Sequence, residues 1–153
     1  YTKIEMRCWL CVTSPENWEK VKEHKVWGLE DRYEITVKKL SLGDVFVFYV
    51  KQPLGAISGV YVVSSKWYYD EKSIGWTKIF PYRIKITPLL VPPTPVKLDD
   101  KRVEELIFFT DKSRDARRSF FLASMFPIPD EDCRIIITWL EEETSKQTVL
   151  TSS

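Results

Sequence analysis

The sequence predicts an α+β domain, a small curled sheet or barrel of about six short strands with two or three helices packed outside it. Three observations point there. The run VFVFYV at residues 45–50 is β-prone and apolar on both faces, as the wall of a small barrel must be. Glycines and prolines cut the chain into short segments. Helix-start signals introduce two amphipathic stretches, after residue 13 and after residue 129. A chain of 153 residues suits one domain with a proper core, expected over 1–153 with residues 144–153 as a polar tail or linker.

Residues 6–12, MRCWLCV, read as a buried first strand. Thr13-Ser14-Pro15-Glu16 supplies a hydroxyl cap, an early proline, and Glu16 three residues after Thr13 as in a capping box. The helix that follows runs to about His24, with Trp18 and Val21 on one face. Trp27 and Gly28 come next, in a loop beside Glu30, Asp31 and Arg32. Leu42-Gly43-Asp44 is a turn, and residues 51–56, with Pro53 and Gly55, form a hairpin loop after the 45–50 strand. A strand from Ile57 to about Ser65 contains Gly59, the mark of a bulge or a close backbone approach.

Residues 66–76, KWYYDEKSIGW, place Trp67, Tyr68, Tyr69 and Trp76 among polar groups. Residues 83–87 alternate polar and apolar, a strand with one wet face, and the proline-rich 88–95 runs as an extended connection. A basic patch at 112–118 and an apolar return to the core precede Asp130, which caps a final helix striped by Cys133, Ile136, Ile137 and Leu140.

Bulk properties exclude several classes. The net charge is +1, so any anion-binding surface must come from local clustering. No apolar run approaches the ~20 residues of a spanning helix, and no signal peptide is visible, so no membrane partner is expected; the compartment is read as cytoplasmic from cysteines expected to be reduced. One Asn and two Gln among abundant charges hint at a thermophilic source. Cys8 and Cys11 form a C-x-x-C inside a strand, where alternation sends the sulfurs to opposite faces, and Cys133 and His24 cannot complete a zinc site. All three cysteines are therefore expected buried and reduced, with no metal and no cofactor. There is no phosphate loop, no nucleophile elbow and no identifiable acid/base pair, so the domain alone is not expected to be an enzyme.

The rings carry the positive signal. Trp9, Trp18, Phe46, Phe48 and Trp139 read as core. Trp27, Trp67, Tyr68 and Trp76 fall beside glycines and charges, where a ring must either cover the barrel mouth or line a pocket. An aromatic-lined pocket holds a planar base by stacking, at ~1–3 kcal/mol per base. It also accommodates a methyl group or the partial positive charge it carries. Glycine beside a ring lets backbone approach the base edge.

The ordered set of Cys-Trp-Leu-Cys-Val-Thr-Ser-Pro-Glu-Asn-Trp (8–18), Val-Trp-Gly (26–28), Leu-x-x-Gly-Asp (40–44) and Tyr-Val (49–50) resembles the EVE domain. So do Gly-x-Tyr-x-Val (59–63), Pro-Tyr-Arg (81–83) and Phe-Phe-x-x-x-Met-x-x-Ile-x-x-x-Asp (120–132). EVE domains are PUA-like, related to YTH and ASCH domains. The resemblance implies a small β-barrel flanked by helices that accepts a modified base in an aromatic cage. Carried over by position, Trp27 and Gly28 form one side of the pocket, Tyr33 and Tyr49 lie near its floor, Trp67 or Tyr68 supplies another wall, and Arg83 sits close to the barrel opening; Trp76 joins them as a pocket candidate from its place beside Gly75. The bulk of residues 66–69 departs from the pattern and implies a pocket partly filled by its own rings.

Lys51, Lys66, Lys112, Arg114, Arg117 and Arg118 are the candidates for phosphate contact. Within the family, such domains also stand at the N-terminus of archaeal modification-dependent restriction systems of the McrBC type, where separate motor and nuclease parts act. The start without methionine and the polar tail fit an excised reader module. The first expectation is thus binding of DNA carrying a methylated base, flipped from the stack. The alternative is an RNA-binding module, and a third reading is a modified-nucleotide hydrolase using Asp70.

Overall fold

The computed structural model describes residues 7–110 and 122–152. In chain order the elements are β1 (Cys8–Thr13), α1 (Pro15–His24), β2 (Val26–Leu29), a 3-10 turn (Asp31–Tyr33), α2 (Glu34–Lys38), β3 (Val45–Val50) and β4 (Ala56–Val63). Then come β5 (Tyr68–Tyr69), β6 (Tyr82–Leu90), β7 (Val96–Lys97), α3 (Asp100–Glu105), α4 (Ile107–Thr110), β8 (Met125–Ile128) and α5 (Asp130–Ser152). The expected α+β architecture is present, with eight strands and five α-helices among the described residues.

The main path of the sheet runs β2-β6-β4-β3-β1-β8, with β5 joined to β6 and β7 to β4. β1 and β3 pair in parallel; every other pairing is antiparallel. β2 and β8 are its two edges, so the curled sheet is an open half-barrel with a seam. Both faces of β1 and β3 are covered, which is why Cys8–Val12 and Val45–Val50 are apolar without a break. Trp9, Cys11, Phe46 and Phe48 pack on one face with Trp18, Val21 and Trp27. Cys8, Leu10, Val47 and Tyr49 pack on the other, with α4 and α5.

Several local signals act as the sequence reading expects. Pro15 opens α1, although the capping oxygen is that of Ser14, 3.2 Å from the Asn17 N–H, rather than of Thr13. Thr13 belongs instead to β1, and its carbonyl accepts the Lys51 N–H at 2.9 Å. Gly43 turns at φ +90°. The register between β3 and β4 slips after Phe48 and Gly59, the bulge anticipated at that glycine.

Other expectations are corrected. Trp27 and Gly28 lie in a strand, because β6 pairs with residues 26–29. Helix α5 runs on through residues 144–152, since no Gly or Pro interrupts the chain after Pro129. Cys8 and Cys133 form a disulfide across 125 residues, with Cα atoms 6.3 Å apart, so only Cys11 is a free thiol. The reason is spatial: Cys8 faces the side of the sheet on which the apolar stripe of α5 packs, bringing Cys133 to it. Among the described residues no helix is long and apolar enough to cross a membrane.

Candidate nucleic-acid interface

At the seam of the half-barrel lies a cleft of about 270 Å³. Trp27 and Gly28 of the β2 edge line one side, and Leu122 and Ser124, just ahead of the β8 edge, line another. Thr13, Ser14 and Asn17, where β1 turns into α1, stand between them, and Trp76 comes from the long β5–β6 connection. The size falls near the low end of ligand pockets, about 300–1,000 Å³, which suits one planar base rather than a length of chain.

Each wall has a local cause. Trp27 is only 5% exposed and meets Phe48 edge to face at 5.3 Å, so β3 fixes its ring from below. Its Nε1–H is buried with no acceptor among the described residues. Gly28 lacks a side chain for a steric reason: a Cβ there would stand 2.6 Å from two ring carbons of Trp76 and 2.9 Å from the Phe80 Cβ. Trp76 therefore lies directly over Gly28, with Phe80 edge to face at 5.5 Å.

Two clamps hold Trp76 there. The Asn17 side chain donates to the Thr77 hydroxyl at 3.1 Å and accepts the Thr77 N–H at 2.9 Å, tying the connection to the first turn of α1. Arg83, 2% exposed, donates from Nε to the Phe80 carbonyl at 3.0 Å and from Nη2 to the Lys72 carbonyl. It also pairs with Asp70 at 3.5 Å and lies 5.3 Å over the Trp76 ring. With its donors turned on the protein, Arg83 holds the connection in place rather than standing at the opening.

The expected residues thus divide. Trp27, Gly28, Trp76 and Lys51 come together at the cleft. Tyr33 borders it: its hydroxyl accepts the Ser124 N–H at 2.7 Å and bridges the seam. Tyr49 packs on the opposite face of the sheet, as its one-residue offset from Phe48 requires, and burial pushes its hydroxyl pKa up. Trp67 leans on Tyr82 with Lys38 over its ring, and Tyr68 sits in β5 opposite Arg83, so neither fills the cleft. Exposed Lys66 is not part of it, while Lys112, Arg114, Arg117 and Arg118 lie outside the described residues. Asp70 is held by Arg83 and the Lys72 N–H, away from the cleft.

Asn17, Arg32, Glu30, Lys78 and Ser124 were not anticipated at the cleft. Thr13, Ser14 and Asn17 do fall inside the 8–18 motif, which was the available signal. Nothing local marks Glu30 and Lys78, which meet as an ion pair at 2.8 Å on the rim. The exposed guanidinium of Arg32 lies over the Tyr33 ring at 4.9 Å.

Chemically, this is a binding geometry. It offers the exposed parts of two largely buried indoles, hydroxyls, and a rim of mixed charge on which Arg32, Lys51 and Lys78 stand with Glu16 and Glu30. The single histidine is exposed at the far end of α1. Among the described residues no group of three or more His, Cys, Asp or Glu side chains is placed to hold a metal ion.

A family model described as the EVE domain matches residues 7–139. A UPF0310 protein of Pyrococcus horikoshii is 33% identical over 144 residues, 86% of this chain and 97% of the relative. The YTH domain of the Zygosaccharomyces rouxii MRB1 protein, solved in complex with N6-methyladenosine RNA, superposes with a TM-score of 0.60 at 17% identity, over 92% of this chain and 91% of its own. The YTH domain-containing protein mmi1, solved as an RNA complex, gives 0.64 at 14% identity, over 95% and 88%. At such identities the likeness shows a shared fold.

Proposed function

Because this chain belongs to the EVE domain family, we propose that it is a reader module that binds nucleic acid by taking one modified base into the seam cleft. The observation that carries this reading is the pair Trp27 and Trp76, set around Gly28 at the open edge of the sheet in a cleft of base size. A methylated base gains ring contact there, and the Nε1–H of Trp27 is a polar group that nothing among the described residues satisfies. In a duplex the base has to leave the stack to reach the seam. Lys51 and Arg32 stand at the rim for the phosphates, with Lys66 and the 112–118 basic segment as further candidates.

For the polymer there are two readings. DNA follows from the family resemblance, with the domain targeting a cytoplasmic modification-dependent restriction system whose motor and nuclease act elsewhere. RNA is favoured by a specific observation: the Zygosaccharomyces rouxii YTH neighbour holds N6-methyladenosine RNA. Of the two carboxylates that line the cleft, Glu16 and Glu30, the second is paired with Lys78, so a hydrolase would have to work from Glu16.

Fluorescence anisotropy at one fixed salt concentration tests the proposal. Matched DNA and RNA oligonucleotides, single and double stranded, are compared with and without methylated cytosine or adenine. The expected result is tighter binding of one modified oligonucleotide, with the preference lost in Trp76→Ala. One stacked base at ~1–3 kcal/mol corresponds to about 5- to 150-fold in affinity. Equal binding of all oligonucleotides, unmoved by Trp76→Ala and removed by salt, would mean that the cleft takes no part.

A further inference from the structure

A second cleft, about 560 Å³, lies against the first. Glu30, Arg32 and Lys78 line both, so the two share a rim. Its apolar side is formed by Tyr69, Ile79 and Pro81. Tyr69 is 52% exposed and Ile79 50%, large apolar side chains left half open by the described residues. The Tyr69 ring is nevertheless fixed: Tyr82 meets it edge to face at 5.2 Å, and its hydroxyl donates to Glu71 at 2.6 Å. That hydrogen bond is the main reason its hydroxyl pKa is pushed up to about 12, so the phenol stays protonated at any working pH.

The charges say what belongs inside. Asp31 and Glu71 line this cleft, and carboxylates repel a phosphate but accept hydrogen bonds from a base edge. Glu30 and Lys78 neutralise each other on the shared rim. Arg32 is left as the cation at the junction, where a linking phosphate would pass.

We propose that the second cleft holds the nucleotide next to the read base, its base stacked on Tyr69 and the linking phosphate on Arg32, so that the unit recognised is a dinucleotide step. This rests on the base-reading function proposed above. A held ring with its face open is a stacking platform whose effect does not depend on the modification.

The test uses single-stranded RNA and DNA trinucleotides centred on N6-methyladenosine or 5-methylcytosine, and variants with the 5′ or the 3′ neighbour made abasic. These are titrated into the wild type, Tyr69→Ala and Tyr69→Phe, alongside the free modified nucleosides. Removing one of the two neighbouring bases is expected to weaken binding about five- to tenfold, the lower part of the stacking range because Tyr69 is half exposed. Tyr69→Ala is expected to weaken the intact trinucleotide equally, to add nothing on that abasic one, and to leave nucleoside binding unchanged. Tyr69→Phe, which keeps the ring, is expected to bind like the wild type. Abasic trinucleotides that bind as tightly as the parent would overturn the inference, as would a Tyr69→Ala loss that falls equally on nucleoside and trinucleotide. Binding that depends on Trp76 but is indifferent to Tyr69 would remove the second cleft alone. Absence of binding to any modified ligand would remove the base-reading function, and this inference with it.

Discussion

Gly28 is the residue on which the cleft turns. With Trp76 and Phe80 carbons closer to its absent Cβ than any real contact allows, Gly28→Ala must push the Trp76 ring off its seat. Such overpacking costs ~1–3 kcal/mol, and the expected outcome is a lower melting temperature together with loss of preference for a modified base. A variant that melts like the wild type and keeps the preference would mean that Trp76 is no wall. The Trp27-Gly28 pair was legible in the sequence because a ring beside glycine is a local feature. The seat of Trp76 on Gly28 was not, since 48 positions separate them. Tyr49 shows a second limit: one residue of strand register decides its face, and only the pairing with β1 and β4 fixes that register. Arg83 shows a third, because an arginine in a wet strand reads the same from sequence whether its donors meet solvent or two backbone carbonyls of the neighbouring connection.

Between elements, the decisive contact is the Asn17–Thr77 pair of hydrogen bonds, which moors the β5–β6 connection to α1. Asn17→Ala leaves the Thr77 N–H without its partner and is expected to destabilise by about 1–3 kcal/mol. In a double-mutant cycle with Thr77→Val, the hydroxyl part should appear as a coupling between the two sites, and additive losses would show that they do not act together. The long elements were legible: α1, β3, β4 and the start of α5 carry periodicity, caps or turn residues of their own. The short ones were not. β2 exists because β6 pairs with it, and α4 because the buried Asp132 carboxylate accepts the N–H groups of Ile107 and Phe108 at 2.8 Å each. Four residues carry too little pattern to announce a helix whose cap lies 24 or 25 positions away.

Over the whole molecule, the disulfide joins the first strand to the last helix and leaves one buried cysteine. Burial pushes the Cys11 thiol pKa well up, which keeps it protonated and unreactive. Thiol titration is therefore expected to find none in the native protein, one after denaturation, and three after denaturation and reduction. Reduction should lower the melting temperature, since a native disulfide typically contributes about 2–4 kcal/mol. Three thiols on denaturation without reductant would remove the cross-link from the account. Charge acts at this scale too: Arg32→Glu with Lys51→Glu should weaken every oligonucleotide alike and flatten the salt dependence by a slope of about one to two. The central claim, that a modified base enters the seam between Trp27 and Trp76, is tested most directly by heteronuclear NMR of the tryptophan indole N–H groups during titration with a modified trinucleotide. The expected result is saturable shifts of the Trp27 and Trp76 signals, with Trp139, bonded to Glu105 on the far helix, unmoved. Binding that leaves Trp27 and Trp76 in place would contradict it.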